Sequence, residues 1–364
     1  MAPFASDRRE SPIAYDRELV ERVLAEARAM VLEEIERLLE RNRTTGYGPL
    51  YDLVGDYPFR EGKGLRPAVL LSAARAAGGR RDEAEGSAAA LELYHNAFLV
   101  HDDVEDGSDY RRGRITMLRA HGAAVAVNVG DATNVLAMQL LLDNVGRIGV
   151  HKGLLVLREV ERMARESVEG QAIELQWIAD NRFELSDEDY VRMAYKKTCW
   201  YTVIAPLRIG TLCGHPPGVG FPTEADLLPL VELGHLAGIA FQVADDLLNL
   251  EADQVLYGKE IGGDLWEGKR TIMLLHFLRT ARPSTRRRAI RIIDAPRAEK
   301  EPEDVAWLFE AMTEAGSLAY GHAFAEEYAR RALDADSRPM GFFEDNDHRR
   351  FLREMLRFVV ERVR

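Results

Sequence analysis

Cysteine is scarce in this chain: Cys199 and Cys213 are the only two among 364 residues. So few thiols exclude a disulfide framework, and their spacing matches no metal-binding pattern. A reduced, cytoplasmic compartment is therefore expected. Positive charge is also in short supply. Against 60 Asp and Glu stand 48 Lys and Arg, a net charge of −12. That balance argues against a nucleic-acid partner, because a phosphate backbone needs a basic surface. Anionic small molecules stay open, since bound cations can invert a local field. No uncharged apolar run reaches membrane-spanning length, so no transmembrane segment is expected. The opening "MAPFASDRRESPIAYDRE" lacks the apolar core of a signal segment. Convincing strand alternation, internal repeats and low-complexity tracts are missing as well.

What the chain has in abundance is helical periodicity. "RELVERVLAEARAMVLEEIERLLER", "HKGLLVLREVERMARESVEGQAIELQWI" and "LREMLRFVVERV" place apolar residues at three- and four-residue steps with charges between. Turn-forming punctuation separates such stretches: "TTGYGP", "AAGGRRD", "CGHPPGVGFP", "YGKEIGGD", "TARPSTRR". Residues 1–14 read as a loose tail, and 15–364 as one all-α domain of about a dozen helices. The proline- and charge-rich stretch from Arg282 to Glu303 reads as a long surface connection.

Two apolar helices run into acids. The first is "AAALELYHNAFLV", followed by "HDDVEDGSDYRRG". Asp102 and Asp106 are four residues apart and share a helix face. Carboxylates held together repel unless a cation sits between them. A hard cation such as Mg²⁺ suits them, taking one or two protein carboxylates and filling its shell with water and phosphate oxygens. A solvated acidic helix end would explain the acids alone, but not the apolar run leading into them. The second helix, "AGIAFQVADDLLNLEAD", repeats the arrangement, with Asp245, Asn249 and Asp253 on one face and Asp246 beside them. Two acid-tipped helices suggest facing walls of one cavity.

Basic segments with the chemistry of phosphate binding accompany them. "REGKGLRP" carries Lys63 and Arg66, "RRG" carries Arg111 and Arg112, and "YGKEIGGDLWEGKRT" carries Lys259 and Lys269 in a glycine-rich loop. Arginine forks grip phosphate oxygens in pairs, whereas lysine acts as a point charge.

Taken in order, these segments resemble the trans-type isoprenyl diphosphate synthases, the polyprenyl synthetases. "GKGLRP" is similar to the family's G-K-x-L-R-P motif. "HDDVEDGSDYRRG" resembles its first aspartate-rich motif with the trailing RRG. "VNVGD", "GQAIEL" and "KKT" follow in the usual order. "FQVADDLLNL" resembles the second aspartate-rich motif, and "GKEIGGDLWEGKRT" the closing loop. The resemblance spans about residues 60–280 and implies a helical bundle around a deep central cavity, the isoprenoid synthase type I fold. It implies a homodimer, three Mg²⁺ ions, and two substrates: an allylic diphosphate and isopentenyl diphosphate. Carried over residue by residue, Asp102, Asp106 and Asp245 would ligate metal, with Asp246 in support. Arg111, Lys197 and Lys259 would hold the allylic diphosphate, with Lys269 close by. Lys63, Arg66, His95 and Arg112 would hold isopentenyl diphosphate. Thr198 and Gln242 would turn oxygen dipoles toward the carbocation.

The resemblance also places product length at the residues before the first motif. Phe98 and Tyr94 lie one and two turns below Asp102, about 6 Å and 12 Å along the axis. Bulky residues four and five positions before the motif go with short products; here they are Phe98 and Ala97, one large and one small. Farnesyl (C15) and geranylgeranyl (C20) diphosphate both fit, with a lean to C20. One departure stands out. Asn249 replaces the family's usual Asp, and its amide oxygen is expected to accept a Mg²⁺-bound water without adding charge. Asp245, Asn249 and Asp253 also have the spacing of the metal triad in class I terpene cyclases. A cyclase and a non-catalytic subunit of a heteromeric synthase are therefore alternatives. The intact Lys63, Arg66 and Arg112 favour elongation over the first, and the complete first motif opposes the second.

Overall fold

The first helix starts where Asp16 accepts a hydrogen bond from the Leu19 N–H, satisfying a donor that a helix start leaves free. The computed structural model describes residues 15–60, 62–251, 262–335 and 343–361. The expected tail over 1–14 lies outside the described residues, as do Asp253 and Lys259. In chain order the helices are α1 (Arg17–Thr45), α2 (Gly48–Asp56), α3 (Leu65–Ala76), α4 (Glu85–Glu105), α5 (Met117–His121), α6 (Ala123–Ile148), α7 (Val150–Ala179) and α8 (Asp187–Ala194). A π-helical stretch, Tyr195–Ile204, runs into α9 (Ala205–Gly214) and is followed by α10 (Glu224–Glu251) and α11 (Gly263–Glu267). The chain closes with α12 (Ile272–Thr280), α13 (Pro283–Asp294), α14 (Pro302–Glu314), α15 (Ser317–Ala335) and α16 (Asp347–Glu361).

Small residues let the central helices pack closely. Ala88, Ala89 and Ala90 are fully buried in α4, and α4 packs along α6. One apolar cluster joins α1, α3, α4, α6, α7 and α9. A second joins α8, the π-helical stretch and α12 through α15. Helix α10 serves both, giving Leu227, Leu230 and Leu233 to the first and Ile239, Val243 and Leu247 to the second. It thus stands as a central wall.

By length and hydropathy alone, α6 and α10 could cross a membrane. Within the fold, 61% of the most apolar window of α10 and 44% of that of α6 is buried against protein.

Two sequence expectations are corrected. Arg282–Glu303 is no simple connection: it folds as α13, a 3₁₀ turn at Arg297–Glu299 and the start of α14. Ala289, Ile292 and Ile293 make a narrow buried stripe on α13. Its Pro283 sits at the first turn, where a missing N–H costs nothing. The all-helical reading also missed a small antiparallel pair, β1 (Tyr110–Arg111) and β2 (Arg114–Ile115).

Candidate active site

Consecutive helical residues point about 100° apart, so Asp102 and Asp103 cannot share a face. Asp102 looks into the central cavity, where Arg111 Nη2 lies at 3.5 Å and Lys197 Nζ at 3.8 Å. Asp103 turns inward and is fully buried. It accepts from the Tyr57 hydroxyl at 2.6 Å and from Arg111 Nε at 2.8 Å. Asp106 is held by Lys269 at 2.6 Å and does not itself line the cavity. Burial, opposed by Lys269 and reinforced by Asp102, pushes its carboxyl up to about 7.

The small hairpin explains why adjacent arginines serve different neighbours. Tyr110 pairs with Ile115 and Arg111 with Arg114, leaving Arg112 and Gly113 as a two-residue turn. Both turn residues have positive φ, 53° and 72°, as the tight hairpin turns require. Arg111 therefore points at Asp103 and Asp102, while Arg112 turns to the Tyr57 carbonyl at 3.3 Å.

Opposite α4, the π-helical stretch widens the backbone where Lys197 and Thr198 project. Its neighbours make room with glycine. A Cβ at Gly170 would lie 2.2 Å from the Lys197 nitrogen, and one at Gly238 would lie 2.6 Å from Cys199 Sγ. Lys197 is paired with Glu174. Thr198 donates to Gln242 across the helices. The Gln242 amide then donates to Asp246 Oδ1 at 2.7 Å, and Tyr190 donates to Oδ2 at 2.8 Å. Burial, opposed by these two hydrogen bonds, pushes the Asp246 carboxyl up to about 7. Asp245, one residue earlier, lines the cavity beside Gln242.

A basic corner forms from α3, α4 and the hairpin. Arg66 reaches His95 Nε2 at 3.3 Å and Thr202 Oγ1 at 3.0 Å, and lies over the Tyr201 ring at 4.4 Å. His95 is buried and stacks on the same ring. Lys63 Nζ sits 5.4 Å from the Phe358 ring centroid. Lys63, Arg66, His95 and Arg112 all line the cavity.

The loop after α10 completes the wall. Asn249 does not line the cavity. Its amide oxygen accepts from the Asp264 N–H at 3.0 Å, and its carbonyl accepts from the Gly262 N–H at 2.7 Å. The amide that the sequence reading assigns to a metal-bound water is thus also engaged in shaping the loop. Lys269 bridges Asp106 and Glu267, the latter at 2.8 Å.

The cavity has a volume of about 670 Å³. It brings together Asp102, Asp245, Asp246, Arg111, Lys197, Thr198, Gln242 and Lys269 with the basic corner. Sequence reasoning missed several of its walls. Asp264, Glu174 and Phe241 lie inside the motifs without a role assigned from sequence, and Tyr190 and Tyr201 carry no local signal. The three residues assigned to product length stand behind the cavity wall. Ala97 is fully buried, Phe98 meets Tyr201 edge-on at 5.9 Å, and Tyr94 packs on Phe98 at 6.3 Å.

Comparison with known proteins fits this geometry. The polyprenyl synthetase family model matches residues 49–312. The chain belongs to the polyprenyl synthetase family. A short chain isoprenyl diphosphate synthase of Methanothermobacter thermautotrophicus is 32% identical over 301 residues, 83% of this chain and 86% of the relative. The octaprenyl diphosphate synthase of Escherichia coli is 33% identical over 318 residues, 87% of this chain and 90% of the relative. A polyprenyl synthase structure from Caulobacter crescentus, complexed with calcium and isoprenyl diphosphate, superposes with TM-score 0.79 at 30% identity, covering 94% of this chain and 97% of that one. The fold is thus the all-α isoprenoid synthase fold, and this polyprenyl synthetase is a prenyltransferase of isoprenoid biosynthesis that acts on isoprenyl diphosphates.

The family uses divalent metal, and the donor set here fits one. Among the described residues no three acidic, His or Cys side chains converge on one point. Instead Asp102 and Asp245 line the cavity from α4 and α10, which leaves space for water and diphosphate oxygens in a cation's shell. Burial is the main cause that raises the Asp106 and Asp246 carboxyls, and a cation bound nearby would oppose it.

Proposed function

We propose that this prenyltransferase is a Mg²⁺-dependent, chain-elongating enzyme that condenses isopentenyl diphosphate with an allylic diphosphate and releases pyrophosphate. Its product is short, C15–C20, with C20 favoured, and it works with three Mg²⁺ ions as a cytoplasmic homodimer. The observation that supports this reading is one cavity lined by two chemically different groups of side chains, which we assign to the two diphosphates. One end pairs carboxylates Asp102 and Asp245 with Lys197, Lys269 and Arg111; the other gathers Lys63, Arg66, Arg112 and His95.

Bound Mg²⁺ would stabilise the charge that develops on the departing diphosphate. Lys197, Lys269 and Arg111 add fixed cations at the same end, each held by a buried carboxylate partner, so little reorganisation is needed as the allylic C–O bond breaks. Thr198 and Gln242 present oxygen dipoles near the carbocation. Leu99, Tyr201, Phe241 and Leu248 line the apolar part of the cavity and exclude the water that would quench it. The basic corner holds isopentenyl diphosphate so that its double bond attacks, and the departing pyrophosphate takes the proton. The Asn249 amide oxygen accepts from the Asp264 N–H and Asn249 does not line the cavity, which supports elongation over the cyclase-type triad.

An exposed apolar stripe supports the dimer: Val127, Val135, Met138 and Leu142 on α6, continued by Leu154 and Val168 on α7. The decisive experiment incubates the protein with Mg²⁺ and geranyl or farnesyl diphosphate, with and without isopentenyl diphosphate. Longer diphosphates should form only when both substrates are present. Hydrocarbon from the allylic substrate alone would overturn the reading in favour of a cyclase.

A further inference from the structure

The turn that carries Asp264 and Lys269 is held at both ends by side chains that do not line the cavity. Asn249 fixes its start. At its end stands Lys300, which closes the 3₁₀ turn Arg297–Glu299 and lies outside the diphosphate motifs in sequence. The last carbonyls of α11 have no partner within so short a helix. Lys300 Nζ donates to two of them, Leu265 O and Trp266 O, each at 2.8 Å.

This ammonium is buried, with 8% of the residue exposed. Burial lowers its proton affinity to about 8; Arg270 and Arg297 add repulsion, while Glu267 and Asp294 oppose them. A buried cation is retained against that cost only where its hydrogen bonds satisfy groups that would otherwise be orphaned. What the pair of carbonyls controls lies immediately beyond. Gly268 has φ 76°, a left-handed kink that reverses the chain. The Lys269 N–H returns to the Asp264 carbonyl at 2.8 Å. The Lys269 ammonium is thereby aimed at Asp106, 2.6 Å away, and at Glu267.

We propose that Lys300 is a positioning residue for prenyl transfer: by clamping the Leu265 and Trp266 carbonyls it sets Lys269 against Asp106. The inference rests on the reading that Lys269 and Asp106 belong to the allylic and metal end of the cavity. It makes Lys300 act through another side chain, so its loss should be felt selectively. Lys300→Met keeps the length of the side chain and removes its donors; Lys300→Gln keeps a donor without the charge.

The test measures steady-state kinetics for Lys300→Met, Lys300→Gln, Lys269→Ala and the Lys300→Met/Lys269→Ala double variant, with circular dichroism to establish folding. Lys300→Met should raise the allylic KM and the Mg²⁺ concentration for half-activity by about tenfold, with the KM for isopentenyl diphosphate unchanged. Lys300→Gln should fall between it and wild type. In the Lys269→Ala background Lys300→Met should add little, because both act through one ammonium. Equal loss toward both substrates, or full additivity in the double variant, would overturn the inference. If Lys269→Ala itself left the allylic and Mg²⁺ parameters untouched, the reading of the site would fail. If Lys269→Ala impaired them and Lys300→Met did not, only the role of Lys300 would fail.

Discussion

Asp102 and Asp103 are neighbours in the chain and carry the same group, yet the structure gives them opposite duties. Asp103→Asn is the sharper perturbation. The native carboxylate is fully buried and takes hydrogen bonds from Tyr57 and Arg111. Arg111 is itself only 5% exposed, and its other carboxylate contact, Asp102, is a longer one at 3.5 Å. Removing the charge leaves a buried guanidinium largely uncompensated, a loss of about 3 kcal/mol, since Asn still accepts one of the hydrogen bonds. At roughly 2.1 cal/mol/K per residue, unfolding 364 residues carries an entropy of about 0.76 kcal/mol/K, so Tm should fall by about 4 °C. Asp102→Asn should behave in reverse. Its side chain is 23% exposed and faces the cavity, so Tm should hardly move while turnover drops by orders of magnitude through lost transition-state stabilisation. Differential scanning calorimetry and steady-state kinetics on both variants decide the matter. If Asp102→Asn were the one to unfold early, or Asp103→Asn melted with wild type, the division of labour drawn here would be wrong.

The two ends of the cavity should separate kinetically: Lys63→Ala and Arg66→Ala should raise the KM for isopentenyl diphosphate, and Lys197→Ala that for the allylic substrate. Equal weakening of both substrates in all three variants would contradict the two-ended site. Product length should increase in Phe98→Ala and further in Phe98→Ala/Tyr94→Ala, because both rings stand in series behind the wall that Tyr201 makes; chromatography of the prenyl chains reads this, and unchanged lengths would show that another helix forms the floor. The Lys300 proton should leave an imprint on stability. Its folded value, about 8, lies below its ordinary 10.5, so the folded protein releases the proton first. Between those values the unfolded chain binds more protons, and the contribution of Lys300 to stability improves as pH rises. Wild type should therefore gain on Lys300→Met in urea midpoints from pH 8 toward pH 10, and a constant difference would refute the assignment. Light scattering at micromolar concentration should give twice the 41.0 kDa monomer mass; a monomer alone would count against the α6–α7 stripe as a dimer face.

How much of this was legible beforehand depends on the range of the interaction. The acid-tipped α4 and α10 could be read because the pattern is local: apolar periodicity and carboxylates lie within a few turns of each other. For the same reason the basic segments could be placed at the cavity. The roles of neighbours within a motif were harder. Spacing put Asp102 and Asp106 on one face, but it could not reveal that Lys269, 2.6 Å from Asp106, draws it behind the cavity wall. Nor could it show that Arg111 and Arg112 part company in a hairpin of two-residue strands, too short to leave a period. Helix α13 is hard to read from sequence because its buried stripe is only Ala289, Ile292 and Ile293 amid four arginines, and because a proline that starts a helix looks like one that ends it.

The supports of the site were least legible of all, and the reason is physical. Asn249 and Lys300 act on backbone groups, the Asp264 N–H and the Leu265 and Trp266 carbonyls. Every residue offers such groups, so no residue type on the loop advertises its partner. Asn249 reads as a weakened metal ligand while it is judged by the family's Asp; judged by its contacts, it is a hydrogen-bonding amide that fits a turn. An Asp in its place could accept from the same N–H, but would add a negative charge to a wall that already carries Asp245, Asp246 and Asp264. The neutral amide holds the start of the loop through the Asp264 N–H without adding that charge.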